Sequence, residues 1–330
     1  MNILVTGGAG YIGSVVTEQL IRAGHRVTVY DNLIHGNRDA VSKSASLVIG
    51  DLADPERLGE TFRASSPEAV MHFAAFIEAA ESMNLPELYF RNNTMNSLLL
   101  LETMIRHGVN RLVFSSTAAL YGTPGANPIE ETSALRPTNP YGESKLLVER
   151  MLEWFHSVHG LRYASLRYFN ASGATEELGE DHRPESHLVP LVLQVALGQR
   201  PHIAIYGTDY PTADGTCVRD YIHVSDLAAA HLLVLDALAR REKLIFNLGN
   251  GNGFSVREVI EAARRVTGRA IPSVETAPRS GDSAVLVASS KKIRDELGWR
   301  PQFPELETII RTAWDWRRRH PHGYAEAGAE

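Results

Sequence analysis

The chain has 330 residues, 44% hydrophobic and 22% charged, enough to bury a sizeable core in one large or two ordinary domains. A formal net charge of −6 and the lack of a long basic run exclude nucleic acid as an expected partner, and Arg317-Arg318-Arg319-His320 reads as the solvated last turn of a helix. The single cysteine, Cys217, leaves no intrachain disulfide, no secretory leader or bilayer-length apolar run is seen, and a cytoplasmic protein without a membrane partner is expected.

Residues 2–6 form a short apolar, β-branched strand that runs into Gly7-Gly8-Ala9-Gly10-Tyr11-Ile12-Gly13 and then a helix over 11–23. Strand, glycine turn and helix is the context of a dinucleotide fingerprint. Gly7 or Gly8 permits the turn, Gly10 lets backbone approach a pyrophosphate, and Gly13 lets helix pack on strand. The helix N-terminus offers free N–H groups to the phosphates. A second strand over 26–30 ends in Asp31, whose carboxylate suits the ribose hydroxyls and repels a 2′-phosphate, so NAD is expected over NADP.

Strand and helix keep alternating. A third strand, 46–50, closes on Asp51-Leu52, a position suited to an adenine edge, and Pro55 opens the next helix. A fourth strand, 69–73, is followed by Ala74-Ala75. His72 within it has no ligand-spaced partner and reads as a core histidine, and no metal site is expected. The helix over 92–106 carries Leu98-Leu99-Leu100-Leu101, read as core or dimer interface. A fifth strand, 111–115, ends in Ser115-Ser116-Thr117. Strands alternating with helices predict an α/β fold, a doubly wound parallel sheet with ligands at the carboxyl ends of its strands. Asp31, Asp51, Ala74, Ser115 and Thr117 all fall at such ends.

Tyr141 and Lys145 lie four apart near the start of a helix running to about residue 159, so they share one face. A free tyrosine is a poor base near neutrality, and a nearby positive charge favours its phenolate. Thr117 is placed to hydrogen-bond both that phenolate and a substrate hydroxyl; the alternative is that the hydroxyls of 115–117 only cap a turn. After Asn170 the composition turns polar and rich in Gly and Glu as far as 187, marking a crossing into a smaller domain. A helix over 187–197 and a strand over 203–207 follow; the strand suits packing on a uracil ring.

Thr6-Gly7-Gly8-Ala9-Gly10-Tyr11-Ile12-Gly13, Ser115-Ser116-Thr117, Tyr141-x-x-x-Lys145 and Arg167-Tyr168-Phe169-Asn170 together resemble the extended short-chain dehydrogenase/reductase family. Asp209-Tyr210-Pro211-Thr212-x-Asp214-Gly215-Thr216 with Val218-Arg219-Asp220-Tyr221-Ile222-His223-Val224 narrows the likeness to the branch that epimerises UDP-hexoses at C4. It runs to about Pro321, and the tail after Gly323 reads as dispensable. The resemblance implies a Rossmann-type NAD-binding domain over 1–170 and an interleaved nucleotide-sugar domain over 171–330, with segments around 218–250 returning to the first. It implies a tightly held NAD, the substrates UDP-glucose and UDP-galactose, and a homodimer built from the helices bearing Tyr141 and 92–106. Tyr141 would be the base, assisted by Thr117, with Lys145 lowering its pKa and holding the nicotinamide ribose.

By the same resemblance Tyr11, Ile12, Asn32, Phe73, Ala75, Asn93 and Tyr168 join the cofactor set already named. Asn170, His187, Leu188, Ala204, Tyr206, Arg219, Arg279 and Asp282 hold the nucleotide sugar. Three positions depart from the family pattern: Ile77 replaces a lysine, His187 replaces an asparagine that reaches the diphosphate, and Leu286 gates the N-acetyl pocket. Ala118-Ala119 lack the acid/base pair that a 4,6-dehydratase needs directly after Thr117. A 4-epimerase or decarboxylase of another nucleotide sugar shares the same base and cofactor. A non-catalytic NAD-binding regulator has no need of Tyr141, Lys145 and Thr117 together.

Overall fold

The computed structural model describes residues 1–279 and 282–324. β1 (Asn2–Thr6) is followed by α1 (Tyr11–Arg22), β2 (Arg26–Asp31), β3 (Ser46–Ile49), α2 (Pro55–Ser65) and β4 (Ala69–His72). Two short helices, α3 (Ala79–Ser82) and α4 (Pro86–Tyr89), lead into α5 (Asn96–Arg106), then β5 (Arg111–Thr117), α6 (Pro140–His159) and β6 (Arg162–Tyr168). β7 (Asn170–Ser172), α7 (Leu188–Ala196), β8 (Ile203–Tyr206), β9 (Val218–His223), α8 (Val224–Ala237) and β10 (Lys243–Leu248) come next. The chain continues with β11 (Gly253–Ser255), α9 (Val256–Thr267), β12 (Ser273–Thr276), β13 (Val285–Leu286), α10 (Lys291–Leu297) and α11 (Leu306–Arg319).

The main sheet has seven strands in the order β10-β6-β5-β4-β1-β2-β3. β1 pairs in parallel with both β2 and β4, so the chain order reverses beside it. Such a switch point opens a crevice at the carboxyl ends of the strands. Backbone contacts divide the chain into two compact units, one of Met1–Gly122, Leu135–Arg167 and Ala228–Phe246, the other of Thr123–Ala134, Tyr168–Leu227 and the chain from Asn247. The first unit buries Leu4, Tyr30, Phe62, Phe114 and Leu152 among its core side chains, and the second buries Val192, Ile205, Tyr221, Ile260 and Trp314.

Two sequence expectations about elements change. The helix expected over 92–106 begins with a π-helical stretch, Phe90–Met95, that turns Asn93 inward. Residues 218–223, expected to return to the main sheet, form β9 of a separate four-stranded sheet with β7, β11 and β13. Asp220, fully buried on β9, ties that strand to its surroundings: its carboxylate accepts from the N–H groups of Asn250 at 2.8 Å, Gly251 at 3.0 Å and Ala288 at 3.1 Å. Tyr324 lies past the point where the tail reads as dispensable. It is buried against Trp316, its hydroxyl is bonded to the Gly179 backbone and its N–H to Asp181; only residues 325–330 of that tail lie outside the described ones.

Candidate active site

The glycine turn is shaped by close approaches. Gly7 has a φ of +74°, and a Cβ there would lie 2.4 Å from the Ala74 amide nitrogen. A Cβ at Gly13 would lie 2.2 Å from the Gly7 carbonyl oxygen, so α1 can sit this low only with glycine. At Gly10 an added Cβ meets nothing closer than that carbonyl at 3.3 Å. The backbone at Gly10 is thus open on the side where Tyr11, Ile12 and Gly13 begin α1, and the first N–H groups of a helix have no intrahelical acceptors. That cradle fits a pyrophosphate. The N–H groups of Phe73 and Ala74 both donate to Thr6 O, which places the end of β4 beside the turn and puts Ala75 next in line.

Asp31 is buried. One carboxylate oxygen accepts from the N–H of Ala9 at 3.0 Å and the other from Leu33 N–H at 2.9 Å. Burial raises its pKa and these two hydrogen bonds oppose the rise. Each oxygen keeps a lone pair, so the carboxylate can still accept from ribose hydroxyls. Asp51 accepts from Asn32 Nδ2 at 2.8 Å and from Ala53 N–H at 2.8 Å, which ties the ends of β2 and β3 together. Leu52 turns its side chain into the core, so a nucleotide can meet only its backbone.

Asn139 caps α6 by accepting from Gly142 N–H at 2.8 Å, and Pro140 occupies its first turn. A Cβ at Gly142 would lie 2.7 Å from the Ala119 carbonyl oxygen; glycine lets α6 pack onto the turn that follows β5. This brings the Thr117 hydroxyl into a hydrogen bond with the Tyr141 phenol. The same hydroxyl accepts from Ala119 N–H at 3.1 Å, so Thr117 both caps the turn and touches the phenol. One helical turn further on, Lys145 is buried, with Nζ donating to Ser115 O at 3.0 Å and lying 5.0 Å from the Phe114 ring centroid.

The charge logic differs from the sequence expectation. Burial raises the Tyr141 pKa, the Thr117 hydrogen bond lowers it, Glu78 raises it, and the net direction is up. Lys145 does not act on the phenol, because its ammonium is turned to the Ser115 carbonyl and is itself pushed down to about 7 by burial. In the protein alone, therefore, Tyr141 is a phenol and Lys145 is poised near neutrality.

Asn93 also takes a different part from the cofactor contact expected. Its carboxamide donates to Phe76 O at 2.9 Å and Ser144 Oγ at 3.0 Å, and accepts from Phe76 N–H at 2.8 Å and Asn92 Nδ2 at 3.0 Å. These bonds use both donors and both lone pairs. Asn93 positions the segment that bears Ile77 against α6. His72 is the satisfied core histidine expected: Nε2 faces Ser97 Oγ at 2.8 Å and Nδ1 faces Thr6 Oγ1 at 2.7 Å. Since the Ser97 hydroxyl is spent on Asn93 O, the ring proton is assigned to Nε2. Burial first, then Lys145, holds its pKa down to about 3.

Sequence reasoning missed the group beneath. Glu149 lies one further turn along the same face as Tyr141 and Lys145, and is buried with Arg167 of β6. Arg167 Nε donates to Glu149 Oε1 at 3.0 Å and Nη1 to the Tyr121 hydroxyl at 2.9 Å, while Ser116 Oγ donates to Glu149 Oε1 at 2.6 Å. Successive strand residues face opposite ways, so Ser116 enters this network while Ser115 and Thr117 face the other side. The only sequence hint was a Glu continuing the i, i+4 series into a buried helix face.

In the second unit, Asn170 Nδ2 donates to Asp220 O at 3.0 Å, and the buried Tyr168 ends β6 just before it. Arg219 donates to Ser283 O at 2.7 Å and lies 3.5 Å from Asp282. Leu286 of β13 pairs with Arg219 of β9. Arg279 stacks 3.9 Å over the ring of Tyr206, which is two residues after Ala204 on β8. His187 stands at the N-cap position of α7 just before Leu188, with Nδ1 held by Glu180 and Glu185.

Residues 3–249 match the family model described as the NAD dependent epimerase/dehydratase family. The chain belongs to that family. It is 51% identical over 328 residues to the UDP-glucose 4-epimerase of Halalkalibacterium halodurans, covering 98% of each chain. The structure of UDP-glucose 4-epimerase from Brucella ovis in complex with NAD superposes with a TM-score of 0.92 at 45% identity, covering 95% of this chain and 97% of that one. That of the Bifidobacterium longum enzyme in complex with NAD+ and UDP gives a TM-score of 0.94 at 36% identity, covering 98% and 100%. The sheet and glycine cradle of this chain are thus those of an NAD-dependent epimerase.

Proposed function

We propose that this chain is a UDP-glucose 4-epimerase, interconverting UDP-glucose and UDP-galactose with Tyr141 as the group that moves the C4 hydroxyl proton. The observation that carries this is the Thr117–Tyr141 hydrogen bond over a buried Lys145, in a chain about half identical over its whole length to enzymes of that activity. NAD, when bound, supplies the hydride acceptor at C4 and the same hydride for return. Gly7, Gly10, Gly13 and the start of α1 hold its pyrophosphate, Asp31 and Asn32 its adenosine ribose, and Asp51 with the Leu52 backbone its adenine edge. Ser115, Lys145 and Tyr168 face its nicotinamide end.

Tyr141 Oη takes the proton of the sugar 4-hydroxyl as C4 is oxidised, and returns it when C4 is reduced from the other face. Thr117 fixes both oxygens in line. Because burial, with Glu78 adding to it, keeps Tyr141 protonated, the phenolate forms when positive charge enters the site, and neutralising that charge favours the phenol again. Proton and hydride movement are coupled in this way. Ala118 and Ala119, in the turn after Thr117, carry no acid or base for dehydration.

The second unit takes the nucleotide sugar: Arg219 and Arg279 meet the diphosphate, with Asp282, Asn170, His187 and the Leu188 backbone beside them, and Ala204 and Tyr206 pack on uracil. Leu286, next to Arg219, restricts the sugar's C2 substituent, so UDP-N-acetylgalactosamine is expected to turn over much more slowly than UDP-galactose. The protein is expected to act in the cytoplasm as a homodimer. Exposed Met95 just before α5, Leu98 on α5, and Trp154 and Val158 on α6 give the apolar surface for it. The deciding experiment is conversion of UDP-galactose to UDP-glucose by the purified protein without added cofactor. Activity that falls by roughly 10²–10⁴ in Tyr141→Phe, with NAD still bound, supports the reading; an inactive wild-type protein carrying NAD overturns it.

A further inference from the structure

The loop leading into α7 gathers two carboxylates and two imidazoles. One ligand atom from each of Glu180, His182, Glu185 and His187 lies within 4.8 Å of every other. His187 Nδ1 is 2.9 Å from Glu180 Oε1 and 3.1 Å from Glu185 Oε1, and His182 Nδ1 is 3.1 Å from Glu180 Oε1. Four ligands at about 2.0–2.2 Å around a tetrahedral ion stand roughly 3.3–3.6 Å from one another. The observed separations bracket that spacing, so small side-chain movements complete a four-ligand shell.

A second observation points to a ligand. The Glu185 side chain is 5% exposed, and its Oε2 is buried with no hydrogen-bond partner while Oε1 accepts the N–H groups of Ser186 and His187. A buried carboxylate oxygen left unpaired is costly unless something cationic meets it. The loop is also held before any ion arrives: the buried Arg317 of α11 donates to Glu180 O at 2.8 Å and pairs with Asp181, which in turn accepts from Tyr324 N–H. The two histidine side chains, 19% and 40% exposed, keep the cluster in reach of solvent.

We infer that Glu180, His182, Glu185 and His187 form a site for a divalent transition metal, zinc by preference. Two imidazole nitrogens select a borderline metal over magnesium or calcium, and two carboxylates match its charge. The role is structural: the ion fastens the 180–187 loop and thereby the N-terminus of α7. His187 contributes Nδ1, which leaves its Nε2 for the nucleotide-sugar role proposed above.

The test uses the full-length NAD-bound protein, stripped with a chelator, equilibrated with zinc chloride and measured for bound metal by mass spectrometry and for thermal midpoint. The wild type is expected to hold about one zinc per chain, to rise in midpoint with zinc concentration, and to ignore magnesium. Glu185→Gln, nearly isosteric, and His182→Ala are each expected to weaken zinc by at least about tenfold and to abolish the midpoint rise. Retained NAD together with a single cooperative thermal transition certifies that each variant is folded. Equal zinc binding by the wild type and both folded variants overturns the site, as does a wild type that takes up less than about a tenth of an equivalent or binds magnesium equally well.

Discussion

Lys145 sits where a cation costs most. Its folded value, about 7, lies below the ordinary lysine value of 10.5 because burial disfavours the ammonium. A depressed folded value means a contribution to stability that is present above 10.5 and is lost as pH falls through about 7. Lys145→Met lacks this loss. Freed of NAD, the variant is therefore expected to gain thermal stability on the wild type as pH drops from 10 to 7, and to change little further below; parallel melting curves across that range would contradict the burial argument. Thr117→Val keeps the shape but removes both the phenol contact and the cap on Ala119, so activity is expected to fall by about 10–10² with a modest stability loss. That Tyr141 and Thr117 come together, and that the turn after β1 needs glycine, follow from residue type and spacing and are legible in the sequence. The direction of the Tyr141 shift is not, because it depends on where the Lys145 ammonium goes, and only the fold turns it to Ser115 O.

At the scale of elements, the buried Glu149–Arg167 pair joins α6 to β6. Arg167→Met leaves a buried carboxylate unpaired and is expected to cost about 3–5 kcal/mol in denaturant unfolding. Glu149→Leu with Arg167→Met should recover much of that stability. A double variant as unstable as the single one would mean that the pair serves more than charge compensation. For α9, Ser255 and Glu258 form a reciprocal cap, and Ser255 also reaches Asp214. Ser255→Ala is expected to cost about 1–2 kcal/mol by the same measurement. Strands, helices and their alternation can be read from periodicity in the first 170 residues. The placement of β9 cannot, since it depends on pairing with β7, β11 and β13 and on the N–H groups that Asp220 gathers from residues far along the chain. Asn93 is likewise opaque: the resemblance makes it a cofactor contact, and the π-helical stretch that turns it onto Phe76 leaves no mark in composition.

For the molecule as a whole, the chain leaves its first compact unit and re-enters it, so each unit is built from separated stretches of sequence. Among the described residues no helix is long and apolar enough to cross a membrane. The apolar face of α5 and α6 is expected to be covered by a second copy, so Trp154→Glu should shift the sedimentation coefficient from dimer to monomer; a wild type that already sediments as a monomer rules this out. The central claim, that C4 is oxidised and then reduced with one hydride kept on the protein, is met most directly by UDP-galactose deuterated at C4. Incubated with the enzyme without added NAD, it should give UDP-glucose with the deuterium still at C4. Product carrying solvent hydrogen at that carbon would contradict the account.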